Sequence, residues 1–144
     1  MKLVDLNILL YAVNSDGPHH ARAHRWVEEA LAGEDAVALP WVVVMGFIRL
    51  ATSRRVFQRP LTMAQALAIV DGWLALPHVV LLHPGQGHWA ILKELLTERG
   101  AGGDLATDAH LAALAIEQGC DLCSTDADFA RFARVRWVNP LSVG

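Results

Sequence analysis

The chain has 144 residues, 53% of them hydrophobic and 19% charged, and a formal net charge of −3. That composition excludes a disordered chain, and the slightly acidic balance does not advertise nucleic-acid binding. The longest nearly apolar stretch, Ala36 to Ile48, is interrupted by Pro40 and Gly46 and stops at Arg49, short of the ~18 residues of a bilayer span.

Leu3-Val4 reads as a short buried strand, followed by a helical turn from Asn7 to about Val13. Asp16-Gly17-Pro18 is a loop. From His19 to Ala32, Ala23, Trp26, Val27, Ala30 and Leu31 recur at helical spacing, and Gly33 ends that helix. Ala36 to Leu39 is a second strand, after which Pro40 suits the first position of a helix through Trp41, Val44, Ile48 and Ala51. Thr62 caps a helix reaching Leu76, and Val79 to Leu82 is a third strand. Helices follow from Gly87 to Arg99 and from about Leu105 to Gln118, separated by Ala101-Gly102-Gly103. Asp121 to Ser124 is a fourth strand, Asp126 to Ala133 a short helix, and Val135 to Val138 a last strand. Short apolar strands alternating with helices predict an α/β fold. The expected form is a three-layer α/β/α sandwich with a central, mainly parallel sheet of four to five strands. No linker divides the chain, so residues 1–144 are expected to form a single domain. Asp5 arrives before a signal-peptide apolar region can form, and a cytoplasmic location is expected.

Acidic residues stand where apolar runs stop. Asp5 closes Lys2-Leu3-Val4, Asp108 opens the run from Ala109 to Ile116, and Asp126 follows Leu122 to Thr125. In a parallel sheet the strands' carboxyl ends share one edge, and carboxylates gathered there repel unless a cation lies between them. This predicts a hard-metal site, and such a site on an α/β scaffold suggests phosphate chemistry. Capping competes for some of these residues. Asp5 can cap the turn at Asn7, and Asp104, following two glycines, fits an N-cap. Thr125 and Asp128 have the spacing of a capping box, which accounts for Asp128 without catalysis. Asp5, Asp108 and Asp126 remain the core candidates for catalysis and metal binding. Asp104, Asp128, Asn7 and Thr125 are auxiliary candidates that could orient a carboxylate or water.

Cys120 and Cys123 lack two further zinc ligands at suitable spacing and read as core cysteines. The seven histidines read as surface or packing residues, with no evident partners for His83, His88 and His110. Arg49, Arg54, Arg55 and Arg59 form one basic cluster, and Arg131, Arg134 and Arg136 another. Either could contact phosphates, or simply lie in solvent.

Four blocks in order, Asp5-Leu6-Asn7, Phe47-Ile48-Arg49, Thr107 to Ala113 and Ser124 to Phe129, give the chain a resemblance to the PIN-domain family, and within it to VapC-type toxins. The resemblance runs from Lys2 to about Leu141. It implies a divalent-metal-dependent endoribonuclease, the toxin of a VapBC-type toxin–antitoxin module, that uses Mg²⁺ or Mn²⁺ to hydrolyse RNA phosphodiester bonds. It also implies a cognate antitoxin protein and a homodimer, with RNA approaching over Arg49, Arg54 and Arg55. The family's acids match Asp5, Asp108 and Asp126. A fourth, a Glu directly before the Phe-Ile-Arg-like stretch, is replaced here by Gly46. That departure motivates an alternative: a catalytically degenerate module that binds antitoxin or RNA without cutting. A phosphoryl-accepting receiver domain is set aside, because Lys2 and Lys93 are the only lysines and neither is suitably placed.

Overall fold

The structure, a computed structural model, describes residues 1–99 and 105–142. In chain order the elements are β1 (Lys2–Val4), α1 (Leu6–Val13), α2 (His20–Ala32), β2 (Val37–Pro40), α3 (Trp41–Ala51), α4 (Met63–Leu74) and β3 (Val79–Leu82). Then come α5 (His88–Arg99), α6 (Ala106–Gln118), β4 (Asp121–Cys123), a 3-10 helix (Ala127–Arg131) and β5 (Arg136–Val138).

The five strands lie in the order β3-β2-β1-β4-β5, and every neighbouring pair is parallel. From β1 the chain steps outward to β2 and β3, then crosses back to lay β4 on the other side of β1. Right-handed crossovers therefore put α1–α4 over one face of the sheet and α5–α6 over the other. The helices pack accordingly, α1 on α2 and α3, α3 on α4, and α5 on α6. The loops after β1 and β4 diverge to opposite faces and leave a crevice at the strands' carboxyl ends.

Burial follows from composition. Leu3, Leu39 and Leu122 fill the middle of the sheet, each at most 2% exposed. Covering such a side chain contributes roughly 1.5–3 kcal/mol. The run Leu111 to Ala115 of α6 is wholly buried, its alanines letting the helix lie close to the strands. Gly119, at φ 68°, ends α6 in the left-handed region that glycine enters without steric cost, and Cys120 donates back to the Ala115 carbonyl at 2.8 Å. Ahead of α5, the Glu117 carboxylate accepts the N–H groups of Gly85 at 2.8 Å and Gly87 at 3.0 Å. Thr62 and Gln65 form a reciprocal capping box at the start of α4.

Pro40 departs from expectation. It is the last residue of β2, paired with Leu82, and caps α3 from outside rather than occupying its first turn. Its φ of −68° suits either place, but a ψ of 152° keeps it extended. No helix among the described residues is long and apolar enough to cross a membrane.

Candidate metal centre at the carboxyl edge of the sheet

The crevice between β1 and β4 is where strand order reverses, the place where open parallel sheets bind ligands. Asp5 extends the β1–β4 ladder by one bond, its N–H donating to the Cys123 carbonyl at 2.9 Å. It caps α1 through Oδ1, which accepts the Leu6 N–H at 2.7 Å, and its Oδ2 accepts the Ser124 hydroxyl at 2.6 Å. Capping and membership of the crevice are thus not alternatives for Asp5. Burial raises its carboxyl above the ordinary range, the Ser124 and Leu6 hydrogen bonds pull it down, and the Asp126 charge pushes it up again.

Ser124 is fully buried and joins the two strand ends. Its hydroxyl also accepts the Asp126 N–H at 3.0 Å. Its own N–H donates to the Val138 carbonyl, and its carbonyl accepts the Trp137 indole N–H at 2.9 Å. Ser124 was not among the sequence candidates. Its signal was a lone hydroxyl continuing the apolar run Leu122-Cys123 to the strand end, where it cannot be buried without partners.

Asp126 caps the 3-10 helix, its Oδ1 accepting the Asp128 N–H at 2.9 Å. The expected capping box from Thr125 to Asp128 is not formed. The extended Asp126, at φ −85° and ψ 111°, takes the capping position one residue later, so Asp128 falls one place short of the reciprocal contact. The Asp128 side chain instead lies with Asp108 and Asp126, one carboxylate oxygen from each falling within 4.8 Å of the others. Asp128 also faces Arg131 at 3.7 Å. The mutual convergence is therefore Asp108, Asp126 and Asp128, with Asp5 beside it and tied in by Ser124.

Asp108 stands in the first turn of α6, half-buried. Burial pushes its carboxyl up to about 6, aided by the charges of Asp126, Asp5 and Asp128. Asn7 lines the same crevice, and its Oδ1 is buried without a hydrogen-bond partner among the described residues. Thr125 forms no side-chain hydrogen bond among the described residues, and Asp104 lies outside them. Gly46 faces the crevice too; a Cβ there would stand 2.6 Å from Leu6 Cδ2.

The family described as PIN domain matches residues 2–135. The chain belongs to the PIN-domain family. Among PIN-domain relatives it is 48% identical over 140 residues to Ribonuclease VapC37 of Mycobacterium tuberculosis, covering 97% of both chains. It is 43% identical over 141 residues to Ribonuclease VapC33 of the same organism, covering 98% of this chain and 99% of that one. The fold resembles VapBC2 from Rickettsia felis bound to a promoter DNA fragment, with TM-score 0.69, 17% identity and coverage of 96% and 97%. It also resembles the sarcin-ricin-loop-cleaving toxin VapC20 of M. tuberculosis, with TM-score 0.69, 18% identity and coverage of 94% and 98%.

Among the described residues, the converging side chains Asp108, Asp126 and Asp128 offer carboxylate oxygens, and like charge raises the proton affinity of Asp108. Both properties fit a divalent cation with a hard-ligand preference, which would replace repulsion by shared attraction.

The basic candidates divide between the crevice and the surface. Arg49 lines the crevice, and Arg49, Arg54 and Arg55 make no ion pair among the described residues. Arg59 is bound to Asp16 through two hydrogen bonds of 3.0 and 2.6 Å. Arg131, Arg134 and Arg136 face Asp128, Glu94 and Asp121, which gives the second basic cluster partners of its own. The histidines have partners that spacing did not reveal. His88 Nε2 lies 2.9 Å from His110 Nδ1, and His83 meets Trp41 edge-on. Burial and the neighbouring His88 hold His110 below its ordinary value. Cys120 and Cys123 are buried and free, and burial pushes the Cys123 thiol up to about 11, leaving it unreactive near neutrality.

Proposed function

We propose that this protein is a divalent-metal-dependent endoribonuclease, the toxin of a VapBC-type pair, acting at the crevice between β1 and β4. The convergence of Asp108, Asp126 and Asp128 beside the Ser124-tethered Asp5 carries the reading. It is supported by full-length likeness to chains named Ribonuclease VapC.

Asp5, Asp108, Asp126 and Asp128 would hold the cation, Mg²⁺ or Mn²⁺ by preference for oxygen ligands. When bound, that ion neutralises phosphate charge and makes a coordinated water more acidic. Ser124 fixes the rotamer of Asp5 and, through the Asp126 N–H, the start of the 3-10 helix. Asp126, whose Oδ1 accepts the Asp128 N–H, would also help to orient the attacking water through Oδ2. Arg49 at the rim offsets charge on the incoming phosphate, with Arg54 and Arg55 further along the chain as added contacts.

The partners are an RNA substrate and a cognate antitoxin, with a toxin homodimer in the complex. Solved structures of the same fold include a toxin–antitoxin complex from Klebsiella pneumoniae and FitAB bound to a DNA fragment. Exposed Trp41, Val42 and Met45 on α3 give an apolar face to such partners. A single domain and a cytoplasmic location accord with this reading.

The test is incubation of the pure protein with structured RNA in Mg²⁺ and in EDTA. Cleavage only with Mg²⁺, abolished in Asp5→Ala and Asp108→Ala, is expected. Absence of metal-dependent cleavage, or full activity in both variants, contradicts the reading. Gly46 motivates a second reading, binding without cutting. It wins if the wild type binds RNA intact and Gly46→Glu begins to cleave it.

A further inference from the structure

Gly46 stands where the family resemblance implies an acid, and it leaves space in the crevice. It lies on the lining of a slot of about 410 Å³ that also contains Asp5 and Asp108. That volume falls within the ~300–1,000 Å³ of small-molecule sites. The walls away from the carboxylates are aliphatic: Leu6, Leu10, Val42, Val43, Leu50 and Leu111. Thr107 and Asn7 supply polar edges, and the Asn7 Oδ1 has no hydrogen-bond partner among the described residues. Among the described lining residues Arg49 is the cation. A longer side chain at position 46 would collide with Leu6 and enter this space, since even its Cβ would stand 2.6 Å from Leu6 Cδ2.

We infer that the slot is a nucleobase subsite, receiving the base of the nucleotide whose phosphate sits at the carboxylates. A base has two apolar faces and a hydrogen-bonding rim, matching aliphatic walls edged by Asn7 and Thr107. Its phosphate would lie between Arg49 and a cation held by Asp5 and Asp108. A purely electrostatic phosphate site would not need the aliphatic walls. The subsite rests on the ribonuclease reading for its biological meaning, and it accounts for selectivity among RNA sequences through one unstacked base. It also gives Gly46 a positive role.

The probes are the four nucleoside 5′-monophosphates and ribose 5-phosphate, titrated in Mg²⁺ while the methyl NMR signals of the intact protein are followed. At least one nucleotide is expected to bind about tenfold or more tightly than ribose 5-phosphate, the difference being burial of the base. It should shift the methyls of Leu6, Leu10, Val42 and Leu50. Gly46→Leu, which fills the slot, should bring that preference down to about twofold or less. Val42→Asn, at a position 38% exposed and so safe for folding, should narrow it in the same direction. Equal affinity for nucleotides and ribose 5-phosphate overturns the subsite, as does a nucleotide preference that survives both substitutions. A leucine-bearing peptide moving these methyls while nucleotides do not would assign the slot to a protein partner, and equally overturns it. None of these outcomes depends on cutting, so failure of the ribonuclease reading, seen as absent cleavage, is read separately.

Discussion

The strand-end half of the crevice and its helical half hold their carboxylates in different ways. Asp5, at the end of β1, has both oxygens occupied by protein donors, the Leu6 N–H and the Ser124 hydroxyl. Asp108, in the first turn of α6, receives no hydrogen bond from the described residues and faces three other acids. One half is a finished structure and the other is left strained by like charge. A protein that only needed its helices capped would not leave Asp108 there. The contrast separates an acid held in place by protein donors from one whose neighbours are like charges, and the second gains most from a cation.

The largest effects should separate the halves by stability while uniting them in activity. Asp108→Asn is expected to cut RNA cleavage by roughly a hundredfold to a thousandfold. It should leave metal-free stability at pH 7 unchanged or increased, because it removes repulsion. Asp5→Ala should lose comparable activity and also stability, since it leaves the buried Ser124 hydroxyl without its acceptor, at about 1–3 kcal/mol. Urea denaturation beside a cleavage assay measures both. If the two variants are destabilised alike, the contrast between the halves is broken.

Ser124→Ala tests the tether itself. It should lower stability by about 1–3 kcal/mol in urea denaturation, because the Asp126 N–H and one Asp5 oxygen lose their partner. Activity should fall less than in either aspartate variant.

The pH dependence of stability sharpens the contrast further. The Asp108 carboxyl is raised from 3.8 to about 6 in the folded protein, so between those values the folded state binds more protons than the unfolded one. Metal-free stability contributed by this group is therefore full below 3.8 and is lost as pH rises through about 6. Asp5, raised in the same direction, adds to the slope. Thermal melts across this range should show the decline in EDTA and a flattened profile with Mn²⁺. A profile that rises through the window would contradict the assignment.

The smallest effects concern charge at the rim. Arg49→Ala should weaken RNA binding and reduce the salt dependence of log K by about one contact's worth. Arg134→Ala, which breaks an exposed pair with Glu94, should leave both nearly unchanged. Fluorescence anisotropy over a salt series distinguishes them.

Periodicity in the amino-acid sequence sufficed for most strands and helices, because apolar spacing and Gly, Pro or capping residues such as Gly33, Thr62 and Gly119 mark many of their ends. The short helix expected from Asp126 to Ala133 is a 3-10 helix over Ala127–Arg131. Val79 to Leu82 coincides with β3. Asp5, Asp108 and Asp126 were legible as candidates because a charge next to an apolar run needs a reason. What spacing could not show was side-chain choice between two compatible roles. Asp128 matched a capping box in sequence, yet the backbone angles of Asp126 moved the cap by one residue and freed the Asp128 carboxylate. Ser124 and the His88–His110 contact depend on elements 119 and 22 residues apart in the chain, which no local pattern reports. The same limit hid the partners of Arg134 and Arg136, whose pairing with Glu94 and Asp121 arises only once the sheet is assembled.

The most direct test is calorimetric titration of the metal-free protein with Mn²⁺ near pH 6, for wild type and Asp108→Asn. Saturable binding by the wild type with release of protons is expected, since Asp108 is near half-protonation there, and affinity at least about a hundredfold weaker in the variant. Equal affinity in the two proteins, or no binding by the wild type, would contradict it.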